Sequence, residues 1–107
     1  MVRTAVVTGG MSGIGAASAQ RLAIDGVEIV RFDIGVDADV VVDVSDPAAV
    51  AAAANSLGPV DIVVNSAGVV GPNAFLWEVD DDAWARTIAV NLTGTFNMCR
   101  AVAPGMR

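Results

Sequence analysis

The segment with the clearest chemical potential is the glycine-rich run Thr8–Gly15, which reads Thr-Gly-Gly-Met-Ser-Gly-Ile-Gly. It lies between a short apolar stretch and a run with helical spacing, which predicts a turn from a strand into a helix. Small residues let the backbone pass close to a ligand, and the N–H groups at a helix start favour a pyrophosphate. A glycine turn without a ligand is the alternative. The residues predicted to form this cradle are Gly9, Met11, Ser12, Gly13, Ile14 and Gly15.

Two carboxylates follow the next two predicted strands and suit the sugar and base of a nucleotide. Asp33 lies 18 residues after Gly15, where a carboxylate can accept hydrogen bonds from both ribose hydroxyls. Asp43 ends the following strand and could accept a hydrogen bond from an adenine amino group. An ordinary strand-end charge stays open for Asp33, and a solvated turn for Asp43. Ile34 and Val44 directly follow the two carboxylates and are included in the predicted site.

A third polar segment, Asn65-Ser66-Ala67-Gly68, ends the fourth predicted strand. Ligands of open α/β sheets bind at the carboxyl edge, where this segment is expected to lie. A simple turn is the alternative.

The elements that must position these residues alternate between short Val/Ile-rich runs and Ala-rich helical runs, which indicates βαβ units. Helices are expected from Gly13 to Asp25, with Ile14, Ala17 and Leu22 on one face, from Asp46 to Leu57, and from Asp80 to about Pro104. The predicted strands are Thr4–Val7, Val27–Ile34, Val40–Val44 and Asp61–Val64. We therefore predict one α/β domain over 1–107. It is the first half of a Rossmann-type doubly wound parallel sheet, with about four strands and four helices.

The composition excludes several other chemistries. The 107 residues carry a net charge of −6 and contain no His and no Tyr. The acidic balance argues against nucleic acid or an anionic membrane as a partner. Without His or Lys there is no Ser-His-Asp triad, imidazole metal site, Schiff base or Gly-Lys-Ser/Thr phosphate loop, and no metal is expected. Cys99 stands alone, which favours a reducing, cytoplasmic compartment, and no run predicts a membrane span or a signal peptide.

These motifs resemble the short-chain dehydrogenases/reductases of the classical type. The spacing of Thr8–Gly15 is theirs, and Asp43-Val44 matches their acidic residue after the third strand. Asn65–Gly68 is similar to their Asn-Asn-Ala-Gly motif, with Ser66 in place of the second Asn. Val90–Gly94 matches their Val-Asn-x-x-Gly motif. The resemblance covers nearly the whole chain.

The resemblance implies hydride transfer between a nicotinamide and a small carbonyl or alcohol substrate, of a 3-oxoacyl or a sugar or polyol type. It implies a homo-oligomer, places Val90 at the cofactor, and gives Asn91 a catalytic role. In the family the residue matching Asn91 bends a helix and joins a proton relay through water to a Lys. The family's Ser and Tyr-x-x-x-Lys lie beyond this motif, and the sequence contains neither Tyr nor Lys. We therefore expect the cofactor-binding half of such an enzyme, truncated before that segment, which binds cofactor without turnover.

Asp33 also predicts NAD rather than NADP, because a 2′-phosphate beside it would place two negative charges together. Arg31 shares a strand face with Asp33, and we expect it to pair with a surface carboxylate. Two other functions stay open. One is a non-catalytic dinucleotide-binding module, and the other is a methyltransferase that uses S-adenosylmethionine, although Thr8 stands where those proteins usually carry an acidic residue. The large side chains expected in the core or at a subunit contact are Trp77, Trp84, Phe96, Met98 and Cys99.

Overall fold

The computed structural model describes residues 2–106. Its strands are β1 (Thr4–Thr8), β2 (Glu28–Asp33), β3 (Val40–Val41) and β4 (Ile62–Asn65). They form one parallel sheet in the order β3-β2-β1-β4, with β1 paired to both β2 and β4. The chain builds outward from β1 to β3 and then crosses to the other side for β4. The strand order therefore reverses between β1 and β4, as in the first half of a doubly wound fold, and the predicted fold class is confirmed.

Four α-helices connect and cover these strands: α1 (Gly13–Ile24), α2 (Pro47–Asn55), α3 (Asp81–Ile88) and α4 (Gly94–Val102). A π-helical segment, Ala89–Thr93, joins α3 to α4. The backbone at both junctions keeps α-helical dihedral angles, so the three pieces form one continuous helical run. The sequence predicted that long helix but not the π-helical segment within it.

Carboxylate caps start α2 and α3, at the residues where these helices were expected to begin. The Asp46 side chain accepts hydrogen bonds from the N–H groups of Ala48 and Ala49, both at 3.1 Å. The Asp80 side chain accepts one from Ala83 at 2.7 Å. Each cap satisfies donors that the helix itself leaves unpaired and is worth about 1 kcal/mol.

Helices lie on both faces of the sheet because neighbouring side chains of a strand point to opposite sides. Val6 and Phe32 pack with Val50 of α2 and Met98 of α4 in the main hydrophobic core. On the other face α1 packs against β1, where Ala5, Val7 and Ala19 are also fully buried.

The third strand is shorter than predicted, because the backbone beyond Val42 is used in a turn. Val42 still donates its N–H to the Asp33 carbonyl, but the N–H of Asp46 already bonds the carbonyl of Asp43. Val42 and Val44 nevertheless stay buried in the core. Their apolar character therefore predicted burial correctly and the strand length wrongly.

The predicted packing face of α1 is also wrong. Ile14 is 78% exposed, whereas the buried residues of α1 are Gly15 and Ala19. This helix approaches the sheet so closely that small residues face inward, and a larger side chain is left outside.

Of the large side chains expected in the core or at a subunit contact, only Met98 is buried. Trp77 and Trp84 are 80% and 60% exposed, and Phe96 and Cys99 are exposed as well. A subunit contact over them stays a prediction. Among the described residues, no helix is long and apolar enough to cross a membrane.

Candidate cofactor-binding site

The sheet register brings the predicted site segments to one edge. Thr8, the last residue of β1, stands level with Phe32 on one side and with Asn65 on the other. Because all strands are parallel, the glycine run, Asp33 and Asn65–Gly68 leave the sheet at the same carboxyl edge. They meet beside the switch point between β1 and β4, where ligands of open α/β sheets bind.

The glycine run needs its glycines for two different reasons. Gly9 and Gly13 have φ angles of +60° and +54°, a region that L side chains rarely adopt. A Cβ at Gly15 would overlap the carbonyl of Gly9, so this glycine lets α1 close against the loop. A Cβ at Gly13 would have no neighbour within 4 Å. The loop therefore presents an open backbone face at Gly13, directly at the start of α1.

Thr8 ties the two loops of the site together. Its side chain is buried, and its Oγ1 accepts hydrogen bonds from the N–H groups of Ser66 and Ala67, both at 3.1 Å. The same hydroxyl donates to the carbonyl of Val64 at 3.4 Å. Thr8 belongs to the predicted glycine motif, but no role of its own was predicted for its side chain. A buried hydroxyl at the end of a central strand is the signal that could have marked it as a positioning residue.

The end of β2 holds the glycine run at consecutive points. The Arg31 guanidinium donates to the carbonyl of Gly10, and the Phe32 carbonyl accepts the Gly10 N–H at 3.3 Å. The Asp33 Oδ2 accepts the Met11 N–H at 3.1 Å. Within the described residues the Arg31 guanidinium has no carboxylate partner, so the predicted pairing was wrong. The loop carbonyl is a nearer acceptor on the same face of the sheet.

Asp33 keeps acceptor capacity toward the cavity. Its Oδ1 accepts the N–H groups of Ile34 at 2.8 Å and of Gly35 at 3.4 Å, and its Oδ2 bonds only Met11 among the described residues. An ionised carboxylate offers about four lone-pair sites. One site, on Oδ2, therefore remains for a ribose hydroxyl.

Asp43 lies in a tighter network. Its Oδ1 accepts hydrogen bonds from the backbone N–H and the hydroxyl of Ser45, at 2.9 and 2.7 Å. Its Oδ2 forms an ion pair with Arg86 at 3.2 Å. The hydrogen bonds from Ser45 hold the pKa of the Asp43 carboxyl below its ordinary value, partial burial opposes them, and Arg86 lowers the pKa further.

Val44, directly after Asp43, is fixed against α4. Its carbonyl accepts a hydrogen bond at 2.9 Å from Asn97, which is buried. A Cβ on Gly94 would lie 2.5 Å from the Val44 Cγ2 atom, so α4 can approach only at a glycine. Val90, in the π-helical segment, is buried next to this contact in the same core. Asn97 was not among the predicted residues. It is a polar residue on the buried face of α4, whose other buried residues are Gly94, Met98 and Val102.

Asn91 lies in the π-helical segment and holds the loop that follows β4. Its Oδ1 accepts the N–H of Val69 at 2.7 Å, and its Nδ2 donates to the carbonyl of Val69 at 2.9 Å. π-helical segments often occur where a function requires a local distortion of a helix. Both polar ends of the amide are therefore engaged with the backbone beside the site.

These segments surround a cavity of about 650 Å³, within the range of about 300–1,000 Å³ usual for ligand pockets. Phe32, Val42, Val69, Val70 and Arg86 line it without having been predicted. Four predicted residues do not line it, namely Met11, Gly15, Asn65 and Asn91. The predicted residues that line it are Gly9, Ser12, Gly13, Ile14, Asp33, Ile34, Asp43, Val44, Ser66, Ala67, Gly68 and Val90.

The open backbone at Gly13 and the carboxylate at the end of β2 are features that suit the phosphate and the ribose of a nucleotide. Among the described residues no group of His, Cys, Asp and Glu could hold a metal ion. The fold and the site together define a Rossmann-type nucleotide-binding unit.

Comparison with known proteins gives the family. Residues 3–107 match the short chain dehydrogenase family, and the chain belongs to it. Over 120 aligned positions it is 41% identical to 2-dehydro-3-deoxy-L-rhamnonate dehydrogenase (NAD(+)) of Sphingomonas sp. (strain SKA58). That alignment covers 97% of this chain and 48% of the Sphingomonas protein. It is 39% identical to D-threitol dehydrogenase of Mycolicibacterium smegmatis, over 97% of this chain and 47% of that protein.

A solved structure of NAD+-bound xylitol dehydrogenase superposes with a TM-score of 0.91 at 31% identity, over 97% of this chain and 48% of that one. The chain thus spans about half the length of the proteins that it matches.

Proposed function

We propose that this chain forms the coenzyme-binding part of an NAD-dependent dehydrogenase acting on a small alcohol or carbonyl compound. The observation that carries the proposal is the cavity at the switch point, where the open backbone at Gly13 faces the same space as the Asp33 carboxylate. Membership of the short-chain dehydrogenase family supports it. When bound, NAD supplies a nicotinamide ring that accepts or donates a hydride.

In this proposal each group of predicted residues binds one part of the coenzyme. Asp33 and Ile34 bind the adenosine ribose, and Asp43, Val44 and Val90 surround the base. Ser66, Ala67 and Gly68, held by Thr8 and preceded by Asn65, form the wall on the β4 side. The residues assigned to the pyrophosphate are Gly9, Met11, Ser12, Gly13, Ile14 and Gly15.

The preference for NAD over NADP is part of the proposal and depends on Asp33. A 2′-phosphate at the end of β2 would meet this carboxylate, and like charges in a partly dry site cost several kcal/mol. Arg31, the nearest cation along β2, donates instead to the carbonyl of Gly10. NADP sites usually provide an Arg beside the phosphate.

Binding of the two coenzymes to the purified protein, measured by calorimetry, tests this assignment. We expect NAD to bind more tightly than NADP. The substitution Asp33→Ala should weaken NAD binding about ten- to a hundredfold, which is the usual loss for a hydrogen bond to a charged group. The same substitution should strengthen NADP binding. Asp39→Ala is the matched control. Asp39 also accepts a backbone N–H of β2, that of Arg31 at 2.8 Å, but does not line the cavity. Tighter binding of NADP than NAD by the unsubstituted protein would contradict the proposal.

The substrate class that we propose is a sugar acid or polyol. The names of the relatives support this class, since they act on a deoxy sugar acid and on threitol, and a related structure is a xylitol dehydrogenase. For Asn91 we propose the family's relay role together with the positioning of Val69. A homo-oligomer and a cytoplasmic location also belong to the proposal.

A further inference from the structure

The cavity contains one charged residue that no sequence motif identified. Arg86, on α3, reaches across to the turn after β3, where its Nη1 lies 3.2 Å from the Asp43 Oδ2 and 3.2 Å from the Ser45 Oγ. The hydroxyl of Ser45 itself donates to the Asp43 Oδ1. Arg86, Asp43 and Ser45 thus form a closed triangle at the wall of the cavity, built from two segments about 40 residues apart in sequence.

The Arg86–Asp43 ion pair of this triangle contributes little to folding. The side chains of Arg86 and Asp43 are 52% and 40% exposed, and ion pairs at that exposure add little to stability, because solvent screens them. Stability therefore does not explain why two residues so far apart in sequence form an ion pair beside the cavity.

The geometry has a clear effect on the carboxylate. Ser45 holds one oxygen of Asp43 through two donors, and Arg86 holds the other through one. With both oxygens held, the plane of the carboxylate cannot rotate. The Arg86 contact takes only one of the lone pairs on Oδ2, so this atom can still accept a further hydrogen bond.

We propose that Arg86 is a positioning residue that makes the base pocket selective for a 6-amino purine over a 6-oxo purine. This inference rests on the proposed function, in which Asp43 accepts a hydrogen bond from the adenine amino group. A fixed, ionised carboxylate is an acceptor only, so it pairs with the amino group of adenine and opposes the carbonyl of hypoxanthine. Without Arg86 the Oδ2 atom loses its only protein contact among the described residues, and the carboxylate can turn away from the amino group.

The experiment compares the affinity of the purified protein for NAD and for nicotinamide hypoxanthine dinucleotide, which differ only at position 6 of the purine. We expect the unsubstituted protein to prefer NAD. In Arg86→Gln this preference should fall about three- to tenfold, the range for one hydrogen bond, mainly through weaker binding of NAD. Arg86→Lys, which retains the charge, should restore part of the preference.

Two controls separate positioning from a general structural effect. Arg21→Gln removes the other ion pair among the described residues, Arg21–Asp25 at 2.8 Å on α1, which does not line the cavity. It should leave the preference unchanged. In the background of Asp43→Asn, the substitution Arg86→Gln should have no further effect, because its target is gone.

The outcomes are distinct. A preference unchanged in folded Arg86→Gln protein, a preference in Arg86→Lys no larger than in Arg86→Gln, equal weakening of both dinucleotides, or a larger preference overturns the role of Arg86 and leaves the proposed coenzyme site intact. Failure of the unsubstituted protein to bind either dinucleotide overturns the proposed function, and this inference with it.

Discussion

At the scale of single residues, the site depends on backbone atoms exposed by glycine and on a few side chains that fix them. The motif predicted Gly13 at the ligand, and the structure gives a reason: a Cβ there would point into open space at the start of α1. Asp33 and Asp43 were predicted from their positions after strands. Thr8, Arg86 and Asn97 were not, because their roles arise from contacts with residues that are distant in sequence.

Gly13 offers a prediction with a close internal control. Gly13 and Gly26 both have positive φ angles, +54° and +83°, and open space where a Cβ would stand, but only Gly13 lines the cavity. Gly13→Ala and Gly26→Ala should therefore carry similar backbone strain, about 1–2 kcal/mol each. Only Gly13→Ala should weaken NAD binding, by about tenfold or 1.4 kcal/mol. Thermal unfolding and calorimetric titration measure the two effects, and equal NAD affinities in both variants would contradict the assignment.

Asp43 makes stability depend on pH in a predictable direction. Because its pKa is lowered in the folded state, it stabilises the fold above its unfolded pKa, near 3.8, and this contribution is lost as the pH falls through the lower folded value. Asp43→Asn should therefore flatten the acid side of the stability profile below about pH 4. Urea unfolding between pH 2 and 6 measures the free energy of unfolding at each pH. The control is Asp82→Asn, which removes an exposed carboxylate from α3. Parallel profiles for Asp43→Asn and the unsubstituted protein would be inconsistent with the network around Ser45.

At the scale of elements, sequence patterns predicted the order and type of the strands and helices, because Val/Ile runs and carboxylate caps are local signals. They did not predict which face of α1 packs inward or that the long helix contains a π-helical segment. Both depend on how closely a helix approaches its neighbours. The exposed Ile14 illustrates the difference: its apolar character indicated burial, but the contact between Gly15 and Gly9 decided the position of α1.

Gly94 tests the importance of such close approach. Replacing glycine by alanine inside a helix normally stabilises it by about 1 kcal/mol. In α4 the new methyl group would lie 2.5 Å from the Val44 Cγ2 and 3.1 Å from its Cβ, and overpacking of this kind costs about 1–3 kcal/mol. We expect Gly94→Ala to lower the melting temperature and to weaken NAD binding through the displacement of Val44. Gly58→Ala, in a loop with open space, should do neither; a melting temperature for Gly94→Ala at or above that of the unsubstituted protein would refute the packing argument.

At the scale of the whole molecule, the described residues form the cavity that we propose for the coenzyme but bring no proton donor suited to a substrate oxygen to it. Carbonyl reduction requires a positioned acid, and the 107 residues contain no Tyr, His or Lys. We therefore expect a polypeptide of these residues to bind NAD and to show no turnover of xylitol or threitol. Absorbance at 340 nm measures turnover, with a polypeptide that carries Asp33→Ala as the control for binding. Sustained NADH formation by material of verified mass would overturn this expectation.

The hydrogen bonds between the end of β2 and the glycine run have a practical consequence for coenzyme engineering. Asp33 lines the cavity, where we propose that the ribose binds, and also accepts the Met11 N–H, so its removal changes the charge of the site and the support of the loop at the same time. A redesign toward a phosphorylated coenzyme therefore calls for a neutral side chain that keeps an oxygen for Met11, as in Asp33→Asn, before any cation is added. An alanine at this position would remove the repulsion but leave the loop with one anchor fewer. The affinity of the Asp33→Ala variant for either coenzyme would then include the free-energy cost of reordering the loop.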